Sequence, residues 1–247
     1  DVSKSQEHTL PDEKAAARRF IENVIRTSKD QAAIIPFAGY AHLEQPLTRN
    51  VLDLYRAVER IEVVDPSYLG SAPPISGITS GPGTVGPPIE QQTSIWDSVL
   101  LTSRRILAAD REQRRRAIIL LTDGQDTSSR VPRSAAIDQA IATETVIYAI
   151  GIGDNKNYLG IDKGVLREVA ERTGGRAFFP KKERDLRAAF GEIEAELRSQ
   201  YLVAYSPTNK NRDGAFRRMT IEISNPALAK QGLKLRYRSG YFAKRVG

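Results

Sequence analysis

Cysteine is absent from this 247-residue chain. That excludes disulfides, thiolate catalysis and cysteine-based zinc sites. Histidine is nearly absent. His8 and His42 are the only two, too few for a multi-histidine transition-metal centre. No apolar run approaches the roughly 18 residues of a membrane span. No secretory signal is visible, since residue 1 already lies in a polar stretch. A phosphate-cradling loop of the G-x-x-x-x-G-K-[ST] form is missing too. No nucleophile–histidine pair stands out. These absences leave little for a hydrolase to work with.

What is present is ordinary for a soluble globular domain, with 40% apolar and 27% charged residues. The length is ample for a buried core. The net charge of +7 is unevenly placed. Residues 181–247 hold 15 Lys/Arg against 7 Asp/Glu, so the first 180 residues are close to neutral.

The chain reads as two parts. Helices are expected over 9–28, 50–61, 93–109, 134–143, 163–175 and 183–200, from apolar residues at helical spacing. Between them fall short apolar strands at 30–39, 116–124, 145–153 and 176–179, with a proline-bearing edge strand at 41–48. Near-continuous apolar strands alternating with helices predict a parallel sheet covered on both faces. Residues 65–90 are rich in Pro, Gly and Ser, and read as a long insertion loop within a domain spanning 1–200. The end differs. Residues 201–207, 215–224 and 233–242 read as three strands without helices between them, a C-terminal antiparallel β extension over 201–247. Asp213-Gly214 supplies a turn signal there.

In an open α/β sheet, ligands bind beyond the carboxyl ends of the strands. Three loops at such places carry hard oxygen ligands. "DVSKS" offers Asp1, Ser3 and Ser5 ahead of the first helix. "TSIWD" offers Thr93, with Asp97 four residues on. "ILLTDGQD" ends a strand at Asp123 and continues to Asp126. Hydroxyls with carboxylates suit Mg²⁺, with Mn²⁺ as a substitute.

Together these stretches make the chain resemble a von Willebrand factor type A domain over nearly all of residues 1–200. "VIYAIGIG" and "LREVAERTGGRAFFP" fit the later part of that pattern. The tail, "QYLVAYSPTNKNRDGAF", is similar to the ending of a bacterial subfamily with a C-terminal β extension. The resemblance implies a doubly wound α/β fold with a metal-ion-dependent adhesion site. Ser3, Ser5 and Thr93 would offer hydroxyls to the ion. Asp1 and Asp123 would act directly or through water. Asp97 would brace the loop, and Asp126 would hold a turn or stand behind the ligands. Lys4, where the family commonly has glycine, and Gln6 are candidates for the ligand-facing surface. The family's first, central strand would precede Asp1 and is expected to read as about five apolar residues. The implied function is metal-dependent adhesion or assembly through an exposed Asp or Glu of a partner protein. The resemblance also suggests an extracytoplasmic setting, periplasmic or secreted.

Three other readings stand beside it. The loops could form a metal-free interaction scaffold. Mg²⁺ with carboxylates could support phosphoryl hydrolysis. The basic tail, with Lys234, Arg236 and Arg238 alternating, could track nucleic-acid phosphates. Its spacing fits a solvated strand face better, so no nucleic acid is expected. Loop 65–90 ends just before Thr93, and is expected to emerge on the metal face and shape partner choice.

Overall fold

The fold is seen in a computed structural model, which describes residues 1–26, 28–63, 92–109, 115–153, 160–201 and 203–245. The insertion loop 65–90 lies outside the described residues.

The body is built on a three-stranded parallel sheet. β3 (Arg116–Thr122) pairs with β4 (Thr145–Gly151) over seven rungs, from Arg116↔Thr145 to Thr122↔Gly151. β4 in turn pairs with the short β5 (Ala177–Phe178). β1 (Ala32–Ile34) and β2 (Gln45–Thr48) form a separate antiparallel pair. Strands this apolar need cover on both faces, and the alternation along β4 shows how they get it. Ile147 and Ala149 point into one cluster, with α3 (Ile95–Leu101), α4 (Arg133–Ala142) and α5 (Lys163–Thr173). Tyr148 and Ile150 point into another, with α1 (Leu10–Val24) and α6 (Glu183–Ser199). α2 (Val51–Arg60) packs Leu54 and Val58 against Ile21 of α1. The doubly wound α/β arrangement expected from the sequence is therefore present.

Local chemistry sets the element ends. Asn50 caps α2 by accepting from the Leu52 N–H at 3.0 Å. Asp162 caps α5 in the same way, accepting from Val165 at 2.9 Å. α5 stops at Gly174, which takes a left-handed φ of +89°. Gly175 then passes so close to β4 that a Cβ there would lie 2.0 Å from the Ile147 carbonyl oxygen.

Three expectations need correction. The helix expected over 93–109 is shorter as an α-helix. α3 gives way at Thr102 to a π-helical turn, Thr102–Leu107, closed by Ala108 N–H to Ser103 C=O at 3.0 Å. The buried Ser98 hydroxyl donates back to the Ser94 carbonyl at 2.6 Å, a contact that bends helices. The first helix ends at Val24 rather than 28.

The largest correction concerns the tail. Residues 201–207 form no strand among the described residues, and Tyr201 is 93% exposed. Among the described residues of the tail, β6 (Phe216–Arg218) and β7 (Gly240–Phe242) pair, antiparallel, with a further antiparallel bridge between Asp213 and Arg245 and a short α7 (Pro226–Ala229) between the two strands. The apolar side chains that alternate here, Leu233 and Leu235 among them, have no second layer to bury them. Alternation alone does not make a sheet without such a layer. The tail holds to the body through Ser239 N–H to Arg172 C=O (2.9 Å) and the ion pairs Arg238–Glu144 (3.0 Å) and Arg236–Glu196 (3.1 Å).

Candidate metal centre

Parallel strands leave their last residues and the following loops at one edge of the sheet. β1 and β3 both end where the chain's first residues lie. The Asp1 amino group donates to Leu121 C=O at 2.9 Å, and the Val2 N–H donates to Phe37 C=O at 2.9 Å. The first loop is thus strung between the ends of the two strands.

A 3-10 turn, Lys4–Gln6, folds this loop back on itself. The Ser3 and Ser5 hydroxyls meet at 3.0 Å. The Asp1 carboxylate is held from both sides. One oxygen accepts the Ser3 N–H at 3.0 Å, and the other accepts the Thr122 hydroxyl at 2.5 Å. The same Thr122 hydroxyl accepts from the Gly124 N–H at 3.2 Å, so it ties the first loop to the third. Asp123 follows directly. One of its carboxylate oxygens accepts the Gln125 N–H at 2.9 Å.

The second loop joins the same edge. Ser94 N–H donates to Ala38 C=O at 2.6 Å, which fixes it beside the end of β1. The Thr93 N–H donates to the Thr127 hydroxyl at 2.8 Å, and Thr127 N–H returns a bond to Thr93 C=O at 2.9 Å. Asp126 accepts the Ile95 N–H at 2.7 Å and the Ser129 hydroxyl at 2.5 Å. It therefore holds the N-terminal turn of α3 against the third loop. Asp97 uses both oxygens on the backbone N–H groups of Arg130 and Val131. Both carboxylates thus clamp loops to each other.

Hydrogen bonds thus connect all three oxygen-bearing loops at one edge. Ser3, Thr93 and Asp123 are nearly buried there, and Lys4 is exposed. Gln6 is not on the ligand-facing surface as expected. It is fully buried, and its amide donates to Ile152 C=O at 3.4 Å and to the Ser5 hydroxyl at 3.3 Å. Gln6 anchors the first loop to the chain leaving β4.

Two residues that matter here were not singled out from sequence. Thr122 sits inside "ILLTDGQD", where the neighbouring Asp123 carries the stronger ligand signal. Glu13 lies on the first turn of α1 and is 5% exposed, accepting from the Thr9 hydroxyl at 2.8 Å. Its signal was the acid four residues after Thr9, which reads as ordinary helix-start chemistry. Burial raises the Glu13 carboxyl above its usual range, against the hydrogen bond from the Thr9 hydroxyl. Asp126 is also raised by burial, against the hydrogen bonds from Ser129 and Ile95. Among the described residues, no three His, Cys, Asp or Glu side chains cluster as a metal cage. Any cation at this edge would therefore depend on hydroxyl oxygens.

Comparison with known proteins agrees with the fold. Residues 87–192 match the family model of the von Willebrand factor type A domain. A von Willebrand factor type A structure from Catenulispora acidiphila superposes with a TM-score of 0.61 at 18% identity, covering 99% of this chain and 54% of that one. An aerotolerance-related membrane protein from Bacteroides fragilis gives 0.58 at 17% identity, over 81% and 96%. The pilus adhesin SpaC from Lactobacillus rhamnosus GG, in its open conformation, gives 0.55 at 12% identity, over 80% and 29%. At these identities the likeness is one of fold. No curated protein matches the sequence. Among the described residues no helix is long and apolar enough to cross a membrane.

Proposed function

We propose that this chain is a protein-binding module for adhesion or assembly. Its strand-end loops take a divalent cation, Mg²⁺ or in its place Mn²⁺, and the ion receives an exposed Asp or Glu of a partner protein. Ser3, Ser5 and Thr93 supply hydroxyls, with Asp1 and Asp123 as the two carboxylates. The observation that carries this reading is the 3.0 Å spacing of the Ser3 and Ser5 hydroxyls. Two ligands at right angles on an octahedral Mg²⁺, each at about 2.1 Å, stand about 3.0 Å apart. A set richer in hydroxyls than carboxylates leaves the ion electron-poor. It then favours a further anionic oxygen, which is the chemistry of binding an acidic side chain. Binding rather than turnover, and a place outside the cytoplasm, belong to the same proposal.

Titration calorimetry with MgCl₂ and MnCl₂ tests it, with Asp123→Ala as the comparison. Saturable binding by the native protein, lost in the variant, is expected, together with capture of acidic peptides that EDTA reverses. A folded native protein that binds neither ion would overturn the proposal.

A further inference from the structure

Of the large apolar side chains that are exposed among the described residues, all but Leu52 lie in the tail. Val203 and Tyr205 are 74% and 55% exposed, and Leu233 and Leu235 are 52% and 46% exposed. The same stretch is strongly basic. Residues 201–247 hold 10 Lys/Arg against 2 Asp/Glu, a net +8. Arg217, Arg236 and Arg238 have acidic partners in Asp213, Glu196 and Glu144. Arg218, Lys230 and Lys234 are exposed and make no ion pair among the described residues.

Hydrogen bonds and ring contacts join these residues into one layer. β6 pairs with β7, and Met219 N–H to Ser239 C=O at 3.0 Å carries the pairing one step further. The Tyr205 ring meets Tyr241 edge-on at 6.1 Å, and Phe216 meets Phe242 at 5.2 Å. The Arg217 guanidinium donates to Asn209 C=O at 2.6 Å, which draws in the turn ahead of β6. Arg238 pairs with Glu144, the residue before β4 begins, and Ser239 bonds to Arg172 at the end of α5. The layer is therefore attached at the opposite edge of the sheet from Thr122 and Asp123. Seven rungs of ladder, or about 20 Å, lie between the two edges.

An apolar surface of this extent marks an interaction site, and its charge decides what kind. A second copy would bring another +8 against the first, so like charges oppose self-association through this layer. An acidic protein segment would meet the cations but leave the apolar side chains needing cover of their own. Protein interfaces sort into an apolar centre and a polar rim. Here the two kinds are interleaved residue by residue, as in Leu233-Lys234-Leu235-Arg236. A bilayer with anionic lipids answers both from one surface, with phosphates at the headgroup level and the acyl boundary just beneath. Tyrosines such as Tyr201 and Tyr205 suit that level, and lysine and arginine stems lie along apolar surface while their heads reach charge.

We propose that the tail layer is a docking surface for an anionic lipid bilayer. Its apolar side chains enter the boundary between headgroups and acyl chains, while Arg218, Lys230 and Lys234 lie against lipid phosphates. Docked by this edge, the protein holds its oxygen-bearing loops away from the bilayer and open to a partner. This inference stands apart from the cation proposal, because the layer lies at the other edge of the sheet and needs no metal.

Vesicle flotation of the 247-residue protein in EDTA tests it independently of any metal site. Phosphatidylcholine vesicles containing phosphatidylglycerol are compared with vesicles of phosphatidylcholine alone. The protein is expected to float with the anionic vesicles about 10-fold more tightly than with the neutral ones, and less so as salt rises. Arg218→Gln, Lys230→Gln and Lys234→Gln together should weaken this binding roughly 100-fold. Leu233→Ser with Leu235→Ser should weaken it about 10-fold. Both variants change exposed side chains, so Tm should stay within about 3 °C of the native value. The proposal is overturned if the native protein does not bind anionic vesicles or binds neutral ones equally, or if either variant binds as the native protein does. It is equally overturned if polyglutamate binds as tightly as the vesicles, or if sedimentation shows a dimer that the Leu233→Ser, Leu235→Ser variant no longer forms.

Discussion

Both carboxylate oxygens of Asp97 lie 3.1 Å from the Arg130 N–H, and one also takes the Val131 N–H at 3.0 Å. Asp97 stands on the first turn of α3, while Arg130 and Val131 lead into α4. A single side chain thus sets the distance between two helices that flank the candidate metal loops. Asp97→Ala would leave the part-buried Arg130 and Val131 N–H groups without this acceptor. It should cost about 2–4 kcal/mol of stability and lower Tm by roughly 5–12 °C. Chemical denaturation in EDTA separates this loss from any loss of cation.

The five proposed ligands should behave in the opposite way. Asp123→Asn keeps an oxygen for the Gln125 N–H, so Tm in EDTA should move by no more than about 3 °C. Removing the charge should weaken Mg²⁺ binding by at least about 100-fold in calorimetry. Lys4 is exposed beside the same loop. Lys4→Ala removes a like charge from the ion's surroundings and should tighten Mg²⁺ binding by about 2–5-fold at low salt.

Glu13 gives a pH signature. Burial raises its carboxyl in the folded protein. The unfolded chain therefore gives up this proton first, near the ordinary value of about 4.3. Stability is lost as pH climbs from that value through the raised folded one. Glu13→Gln removes the ionisation and can still accept from the Thr9 hydroxyl. Thermal melts in EDTA should show a higher Tm for the variant near neutral pH. They should also show a smaller drop for it as pH rises above the ordinary carboxylate range.

Two glycines should respond in opposite directions to the same change. At Gly175 an added Cβ meets the Ile147 backbone at 2.0 Å, so Gly175→Ala must push α5 away from β4. A loss of roughly 3–5 kcal/mol is expected. Gly191 lies inside α6 with open space around it. Gly191→Ala should stabilise by about 0.5–1 kcal/mol, read as a higher denaturation midpoint.

How far the sequence reveals this molecule depends on the range of the interactions involved. β3 and β4 were legible because Ile118–Leu121 and Val146–Ile150 are apolar throughout, as double cover requires. α5 was legible down to its end because Gly174-Gly175 follows the last apolar position. The three oxygen-bearing loops could be placed on one edge because alternating strand and helix puts every strand end on the same side. What the loops do to each other was not legible. That Thr122 holds Asp1, or that Gln6 turns inward to Ile152, depends on partners more than a hundred residues away. The tail misled for a related reason. Leu233, Leu235 and Tyr237 alternate as a strand should, but pairing depends on what faces them, and β6 and β7 meet over only three rungs.

The seven-rung ladder between β3 and β4 has a further consequence. A slip of one residue in that ladder would exchange every inward and outward side chain on β3 relative to its neighbour, setting Ile118 and Leu120 against the wrong helices. It would also carry Asp123 about 3.3 Å along the strand direction, away from Asp1. The sheet therefore works as a ruler for the loops at its edge. Selection for a well-packed interior and selection for well-placed oxygens act on the same alignment, so a mutation that loosens the core also blurs the spacing at the rim.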